Sequence, residues 1–339
     1  MTSPAPATGA LSETATGPVV EVRTLRKSYP GPRGAGRKVA VEDVSFSVAP
    51  GEIFGILGPN GAGKTTTVEC LAGLRTADAG QVRILGTDPQ QHPEAIKDVV
   101  GVQLQEAELS PRITVREAMR LFASFYEDPA DPDELLALLD LVAQRDVRFS
   151  RLSGGQKQRL SIALALVGRP RVAILDELTT GLDPAARRAT WDLIERVRDS
   201  GVTILLVTHF MDEAERLCDR LVIIDHGRVV AEGTPAELIE QVDAERTVVL
   251  RLAAEDVTRA VAALDGLPEV SGVAAAGRRV EVTGSRRVLF AVVQALAAHD
   301  VVPDDVATTA RTLEDVFVHH TGRPYEEPAA DAITKGARS

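Results

Sequence analysis

Short apolar runs alternate with stretches of helical periodicity over the first two thirds of the chain. Residues 19–25 (VVEVRTL) alternate as a strand does and lead toward Tyr29. Residues 44–48 alternate again, and Ala49-Pro50-Gly51 turns the chain. Residues 52–57 run straight into a glycine-rich loop. Residues 172–175 and 203–207 are almost wholly apolar, which suits central parallel strands buried on both faces. Residues 221–225 and 228–231, joined by His226-Gly227, read as a hairpin. Strands that alternate with helices in this way predict an α/β fold.

Local signals set the helix ends. Thr114-Val115-Arg116-Glu117 matches a capping box and opens an amphipathic helix. Asp131-Pro132 and Asp183-Pro184 each set a capping carboxylate before a proline at the first helical position. Gly168 and Gly201 follow helical stretches and are expected to close them in the left-handed conformation. Residues 30–37 (PGPRGAGR) are expected to form a flexible turn. After a helix at 235–241 the character changes: strand-like 247–252 and 279–283 alternate with helical 256–264, 285–298 and 313–320. The expectation is a main domain over 19–241, with a helical subdomain at about 114–167, and a small C-terminal αβ domain over 245–323. Residues 1–18 lack a basic start followed by an apolar core and, like 324–339, read as a disordered tail.

Charge and composition narrow the function classes. A formal charge of −11 disfavours a phosphate-backbone binder, so no nucleic acid is expected as a partner. Cys70 and Cys218 are the two cysteines; far apart and in apolar helical contexts, they read as buried thiols rather than a disulfide or metal cluster. No window approaches the roughly 18 apolar residues that span a bilayer, so any membrane role is expected to be peripheral.

Three motifs carry chemistry. Gly58-Pro59-Asn60-Gly61-Ala62-Gly63-Lys64-Thr65, followed by Thr66, is a full phosphate-binding P-loop between a predicted strand and a predicted helix. Its glycines let successive backbone N–H groups turn inward, Lys64 is expected on the β- and γ-phosphates, and the Thr65 hydroxyl on Mg²⁺. Asp176 and Glu177 end the apolar run 172–175, where carboxylates point into the crevice of an α/β sheet. Asp176 is placed to hold Mg²⁺ and Glu177 to polarise an attacking water. Leu152-Ser153-Gly154-Gly155-Gln156, just before a predicted helix at 157–167, is a second anion-binding helix start. Two half-sites in one chain point to a head-to-tail homodimer that holds each ATP between the P-loop of one copy and this loop of the other.

Together these motifs resemble the ATP-binding subunits of ABC transporters, over about residues 19–241. The resemblance implies a P-loop ATPase core that uses ATP and Mg²⁺, docks on a separate transmembrane permease and sits at the cytoplasmic face of the cell membrane. It also implies roles for single residues. Gln105 is the Q-loop glutamine that touches Mg²⁺ and senses the permease. His209 is the switch histidine on the γ-phosphate. Asp183, in Leu182-Asp183, is the D-loop residue facing the opposite subunit. Tyr29 stacks on adenine. The family usually carries proline after the catalytic glutamate; here Leu178 stands there, which leaves φ and the N–H free and predicts a looser loop. Thr312-Leu313-Glu314-Asp315-Val316-Phe317 with Thr321-Gly322-Arg323 is similar to the C-terminal end of drug and antibiotic exporters of the daunorubicin-resistance type. The expected function is therefore an exporter ATPase. An import ATPase and a soluble ABC ATPase acting on DNA or ribosomes remain as alternatives.

Overall fold

The computed structural model describes residues 17–31, 36–103, 109–242, 245–309 and 311–325. The expected tails thus lie almost wholly outside the described residues, as does the centre of the turn at 30–37. Two compact units divide the chain, one running to Pro235 and one from Ala236 to Tyr325.

In the first unit β1 (Val20–Pro30) and β2 (Arg37–Val48) form an antiparallel hairpin, and β3 (Ile53–Leu57) leads into α1 (Lys64–Leu71). Then come β4 (Ala79–Ile84), α2 (Pro93–Lys97) and β5 (Val100–Gln103). A helical stretch follows, with α3 (Val115–Ala123), α4 (Pro132–Leu138) and α5 (Gly154–Leu166). The expected capping box is present on α3: Thr114 Oγ1 accepts from Glu117 N and Glu117 Oε2 from Thr114 N. β6 (Val172–Asp176), α6 (Pro184–Asp199), β7 (Thr203–Thr208) and α7 (Met211–Leu217) alternate before the hairpin of β8 (Arg220–Asp225) and β9 (Arg228–Gly233). His226 and Gly227, at φ 47° and 74°, supply the two positive-φ positions that a tight hairpin turn demands.

The nine strands lie in the order β4-β1-β2-β9-β8-β3-β7-β6-β5. β8, β3, β7, β6 and β5 run parallel, while β4, β1 and β2 pair antiparallel. Every residue of β3, β6 and β7 is buried, which is why their sequences are continuous apolar runs rather than alternating ones. Leu57 pairs with Thr208 and Asp176 with Val207, so the loops that leave these three strands open side by side on one edge.

After β9 come α8 (Pro235–Gln241), β10 (Arg246–Arg251), α9 (Val257–Leu264), β11 (Val270–Ala276), β12 (Arg279–Gly284), α10 (Val288–Ala298), β13 (Asp305–Thr308) and α11 (Leu313–Thr321). The second unit has its own antiparallel sheet, β11-β12-β10-β13, and a core of Val248, Leu250, Val280, Val282, Val292 and Leu296 with Ala260 and Leu264.

The structure corrects two details of the pattern. Gly201 follows α6 at φ 97°, as expected, but Gly168 is not left-handed; the neighbouring Arg169 takes that role at φ 53°. Gly168 is required for space instead, since a Cβ there would lie 2.4 Å from the Tyr126 ring. β4, β5, β11 and β13 were not legible in the pattern, and they are the four edge strands of the two sheets.

Gly101 in β5 is the tightest contact between sheet and helix in this region. A Cβ there would lie 2.0 Å from the Ala165 carbonyl oxygen of α5, and backbone cannot swing aside as a side chain can. Gly101→Ala is expected to destabilise the first unit by about 1–3 kcal/mol. Urea denaturation followed by circular dichroism checks it, and an unchanged midpoint would contradict this packing.

Candidate active site

The P-loop is shaped by what lies behind it. Gly58 and Gly63 adopt φ 155° and 110°; a Cβ on the first would meet Ile224 O at 2.2 Å and on the second Ala40 O at 2.4 Å. The loop is therefore pressed against the ends of β8 and β2, and its glycines are needed for close approach as well as for their backbone angles. Gly61, at φ 81°, has open space and is required only for conformation. Lys64 begins α1 with its ammonium turned back to donate to Gly58 O at 2.7 Å and Pro59 O at 3.2 Å. Burial pushes its pKa down, against the opposing pull of Glu177 and Asp176. Asn60 and Thr65 are exposed, and Thr66 is half-buried. Tyr29 joins this group: its hydroxyl lies 3.3 Å from Thr66 Oγ1, and the Arg75 guanidinium sits 5.3 Å from its ring centroid.

The acids sit at the ends of the neighbouring strands. Asp176 is 1% exposed, its N–H donates to Gln103 Oε1 at 3.2 Å, and its Oδ1 has no hydrogen-bond partner among the described residues. Burial first, and then the Glu177 charge, push the Asp176 carboxyl up to about 6. Glu177 goes the other way. Its Oε1 lies 3.2 Å from His209 Nδ1, and that contact holds its carboxyl below the usual range despite burial. Two adjacent carboxylates with pKa values driven apart are the signature of divided tasks. Glu177 is also strained, at φ 49°, a conformation that costs a residue with a side chain about 1–3 kcal/mol. Its N–H is held by Val207 O at 2.9 Å.

Leu178 does not loosen the loop. Its side chain is fully buried and its carbonyl accepts from Gln158 Nε2 at 2.5 Å, so packing replaces the stiffness a proline would bring. A proline there would also disfavour helical backbone at residue 177. Gln103 is a site neighbour that the pattern does not reveal; the only signal is a polar residue ending the short run Val100-Gly101-Val102.

The glycine pair enters the helix earlier than the sequence suggested. α5 starts at Gly154, so Gly154, Gly155 and Gln156 form its first turn and Ser153 is its cap. Ser153 Oγ accepts from Gln156 N at 3.3 Å and Gln156 Oε1 from Ser153 N at 2.9 Å. Both side chains are thus engaged in a capping box, while Ser153 and Gly154 stay exposed. Asp183 caps α6, accepting from Ala185 N and Ala186 N at 2.9 and 3.0 Å, and those bonds lower its pKa. Gln105 lies outside the described residues. Lys64, Asp176, Glu177 and His209 are brought together, with Tyr29 tied to the P-loop helix at Thr66.

Known proteins resemble this chain over most of its length. The family model described as ABC transporter matches residues 41–180. The Nod factor export ATP-binding protein I of Bradyrhizobium diazoefficiens is 38% identical over 316 residues, 91% of this chain and 98% of that protein. The chain belongs to the ATP-binding subunits of ABC transporters. A protein of the same name from Paraburkholderia xenovorans is 46% identical over 225 residues, 65% of this chain and 72% of its own. A solved structure titled as the ATP binding subunit of an ABC transporter is 32% identical, with a TM-score of 0.57 over 66% of this chain and 92% of that one. This ABC ATPase accordingly has the P-loop α/β fold of its family and hydrolyses ATP. Among the described residues no helix is long and apolar enough to cross a membrane.

The Asp176 carboxylate burdens the unliganded fold. With its pKa raised, its charge opposes folding above about pH 6, and the penalty fades as pH falls through that value toward the unfolded one. Asp176→Asn is therefore expected to raise the stability of the nucleotide-free protein at pH 8 by about 2–3 kcal/mol, and by roughly half as much at pH 5, since the penalty disappears only below the unfolded pKa. Thermal melts at both values test this; a destabilised variant at pH 8 would count against it.

Proposed function

We propose that this ABC ATPase acts as a homodimer on the cytoplasmic face of the cell membrane, where Mg-ATP hydrolysis drives a separate permease that exports a drug, antibiotic or other amphiphilic compound. The observation that carries the direction is the match to proteins named for export over 91% of the chain, which takes in the C-terminal unit as well as the ATPase core. The likeness of Thr312 to Arg323 to the daunorubicin-resistance branch supports the substrate class. In this reading the ATPase domain is 19–241 with its helical subdomain at about 114–167, and the appendage 245–323 stabilises the dimer.

Each residue then has a task. Tyr29 stacks on adenine. Gly58, Asn60, Gly61, Gly63 and Thr66 cradle phosphate, and Lys64 offsets charge on the β- and γ-phosphates. Glu177, kept ionised beside His209, accepts a proton from the attacking water, and His209 orients on the γ-phosphate. Ser153, Gly154, Gly155, Gln156 and Asp183 face the nucleotide of the second copy, for which the exposed start of α5 is suited.

Magnesium fits the residues present. The buried, unpartnered Asp176 Oδ1 beside a second carboxylate would be relieved by a cation, and Thr65 offers an exposed hydroxyl. Gln105 is the third proposed ligand. Among the described residues no cluster of three or more His, Cys, Asp or Glu could hold a metal ion. When bound, Mg²⁺ supplies neutralisation of the bridging phosphate charge.

Glu177→Gln should bind ATP, lose about 10²–10⁴-fold in turnover and accumulate as an ATP-dependent dimer. Size exclusion with saturating Mg-ATP reads the dimer; a species that stays monomeric would sink the sandwich. Lys64→Ala should abolish hydrolysis, and retained turnover would remove the P-loop assignment.

Export is tested with the neighbouring permease co-expressed in drug-sensitive cells. Accumulation of a labelled amphiphilic drug should fall, and Glu177→Gln should restore it. ATP-dependent uptake through an external binding protein would instead establish an importer.

A further inference from the structure

Glu213 on α7 has no part in the scheme above, yet it is fully buried four residues beyond His209. Its Oε1 accepts from Trp191 Nε1 of α6 at 2.9 Å. The hydroxyls of Thr208 and Thr179 lie against the same carboxylate, without closing a well-formed hydrogen bond on Oε2. Burial pushes the Glu213 carboxyl up. An apolar residue would be less costly at such a place, so the carboxylate calls for a reason beyond packing.

Its neighbours supply one. Thr208 is the last residue of β7 and adjoins His209. Thr179, also fully buried, stands two residues after Glu177 on the loop toward Asp183. Trp191 belongs to the helix that Asp183 caps. One side chain therefore touches the segments that carry the base, its histidine neighbour and the D-loop. α6 grips the same stretch a second time: the Arg187 guanidinium lies 4.3 Å from the Phe210 ring and 3.3 Å from Asp212 Oδ2, and Phe210 stands 4.1 Å from the His209 ring.

We propose that Glu213 is a positioning residue for ATP hydrolysis, whose carboxylate, bonded to Trp191 and set against Thr179 and Thr208, keeps Glu177 and His209 at their working separation. The proposal rests on the reading of Glu177 as the base. Glu177 is held in a left-handed conformation that its own backbone does not favour, so its aim depends on anchors in the loop that follows. Leu178 O is tied to Gln158, and Thr179 meets Glu213. Small misplacements of a catalytic group are expensive in rate, up to about 10²-fold for 1 Å.

The test uses the full chain and its single tryptophan, Trp191. Glu213→Ala should lower kcat about tenfold or more while KM for ATP stays within about twofold. Glu213→Gln still accepts from Trp191 and can bond the hydroxyls, so it should recover most of kcat. The Trp191 emission maximum should shift in Glu213→Ala and return in Glu213→Gln. If Glu213→Ala does not fold, Trp191→Phe, which removes the indole donor but keeps a ring, should show the same selective loss of kcat. Wild-type kcat in Glu213→Ala, or in Trp191→Phe should Glu213→Ala not fold, would overturn the proposal. So would equal losses in the alanine and glutamine variants. Turnover of Glu177→Gln with Glu213 intact separates the two ideas: if that variant still hydrolyses ATP the base assignment fails, whereas its inactivity beside an active Glu213→Ala removes only Glu213.

Discussion

The parallel pairing of β3 with β7 and of β7 with β6 is the constraint on which the site depends. These strands are buried on both faces, so a one-residue slip would exchange the side chains packed against each face and spoil a close-packed core. With the register set, Leu57, Thr208 and Asp176 end at nearly one level, and the P-loop, His209 and Glu177 are delivered to a common edge. β8 completes the frame from the other side of β3, where Ile224 O closes on Gly58. The P-loop thus owes its shape to the sheet beneath it as much as to its own glycines.

On that frame the electrostatics divide the work. Burial acts alike on Lys64, Asp176 and Glu177, opposing charge on each. The difference lies in the neighbours. Glu177 has the His209 ring at 3.2 Å and stays below the ordinary carboxylate range, while for Asp176 burial and the repulsion of Glu177 outweigh the pull of Lys64 and His209. An ionised base next to a carboxylate that lacks a partner is an arrangement in which a bound cation would relieve one group without quenching the other. The strained backbone at Glu177 fits the same picture, since strain at such a point persists only where packing over-determines it; Leu178, Gln158 and Val207 do so here.

The sequence by itself determined the α/β class, the central strands and the capped starts of α3, α4 and α6, because these are written in contiguous residues. Continuous apolar runs mark strands buried on both faces, and an Asp-Pro or Thr-x-x-Glu signal acts within one helical turn. The P-loop, the LSGGQ segment and the Asp176-Glu177 pair were equally legible, since each needs residue types at a fixed local spacing. What only the tertiary structure decided depends on residues far apart in the chain. All four edge strands escaped the pattern: β4, β11 and β13 are largely exposed, so little burial is imprinted on them, whereas β5 is buried but only four residues long, too short for its run to stand out. Gly168 looks like a conformational glycine but is a spacer against Tyr126, and Gly101 makes room for Ala165 in the same way. Leu178 looks like a loosened loop and is a buried anchor. The contact of His209 with Glu177, the divergent pKa values of two adjacent acids and the meeting of Glu213 with Trp191 exist only once β6, β7, α6 and α7 are packed, because through-space distance, and not sequence spacing, sets the strength of each.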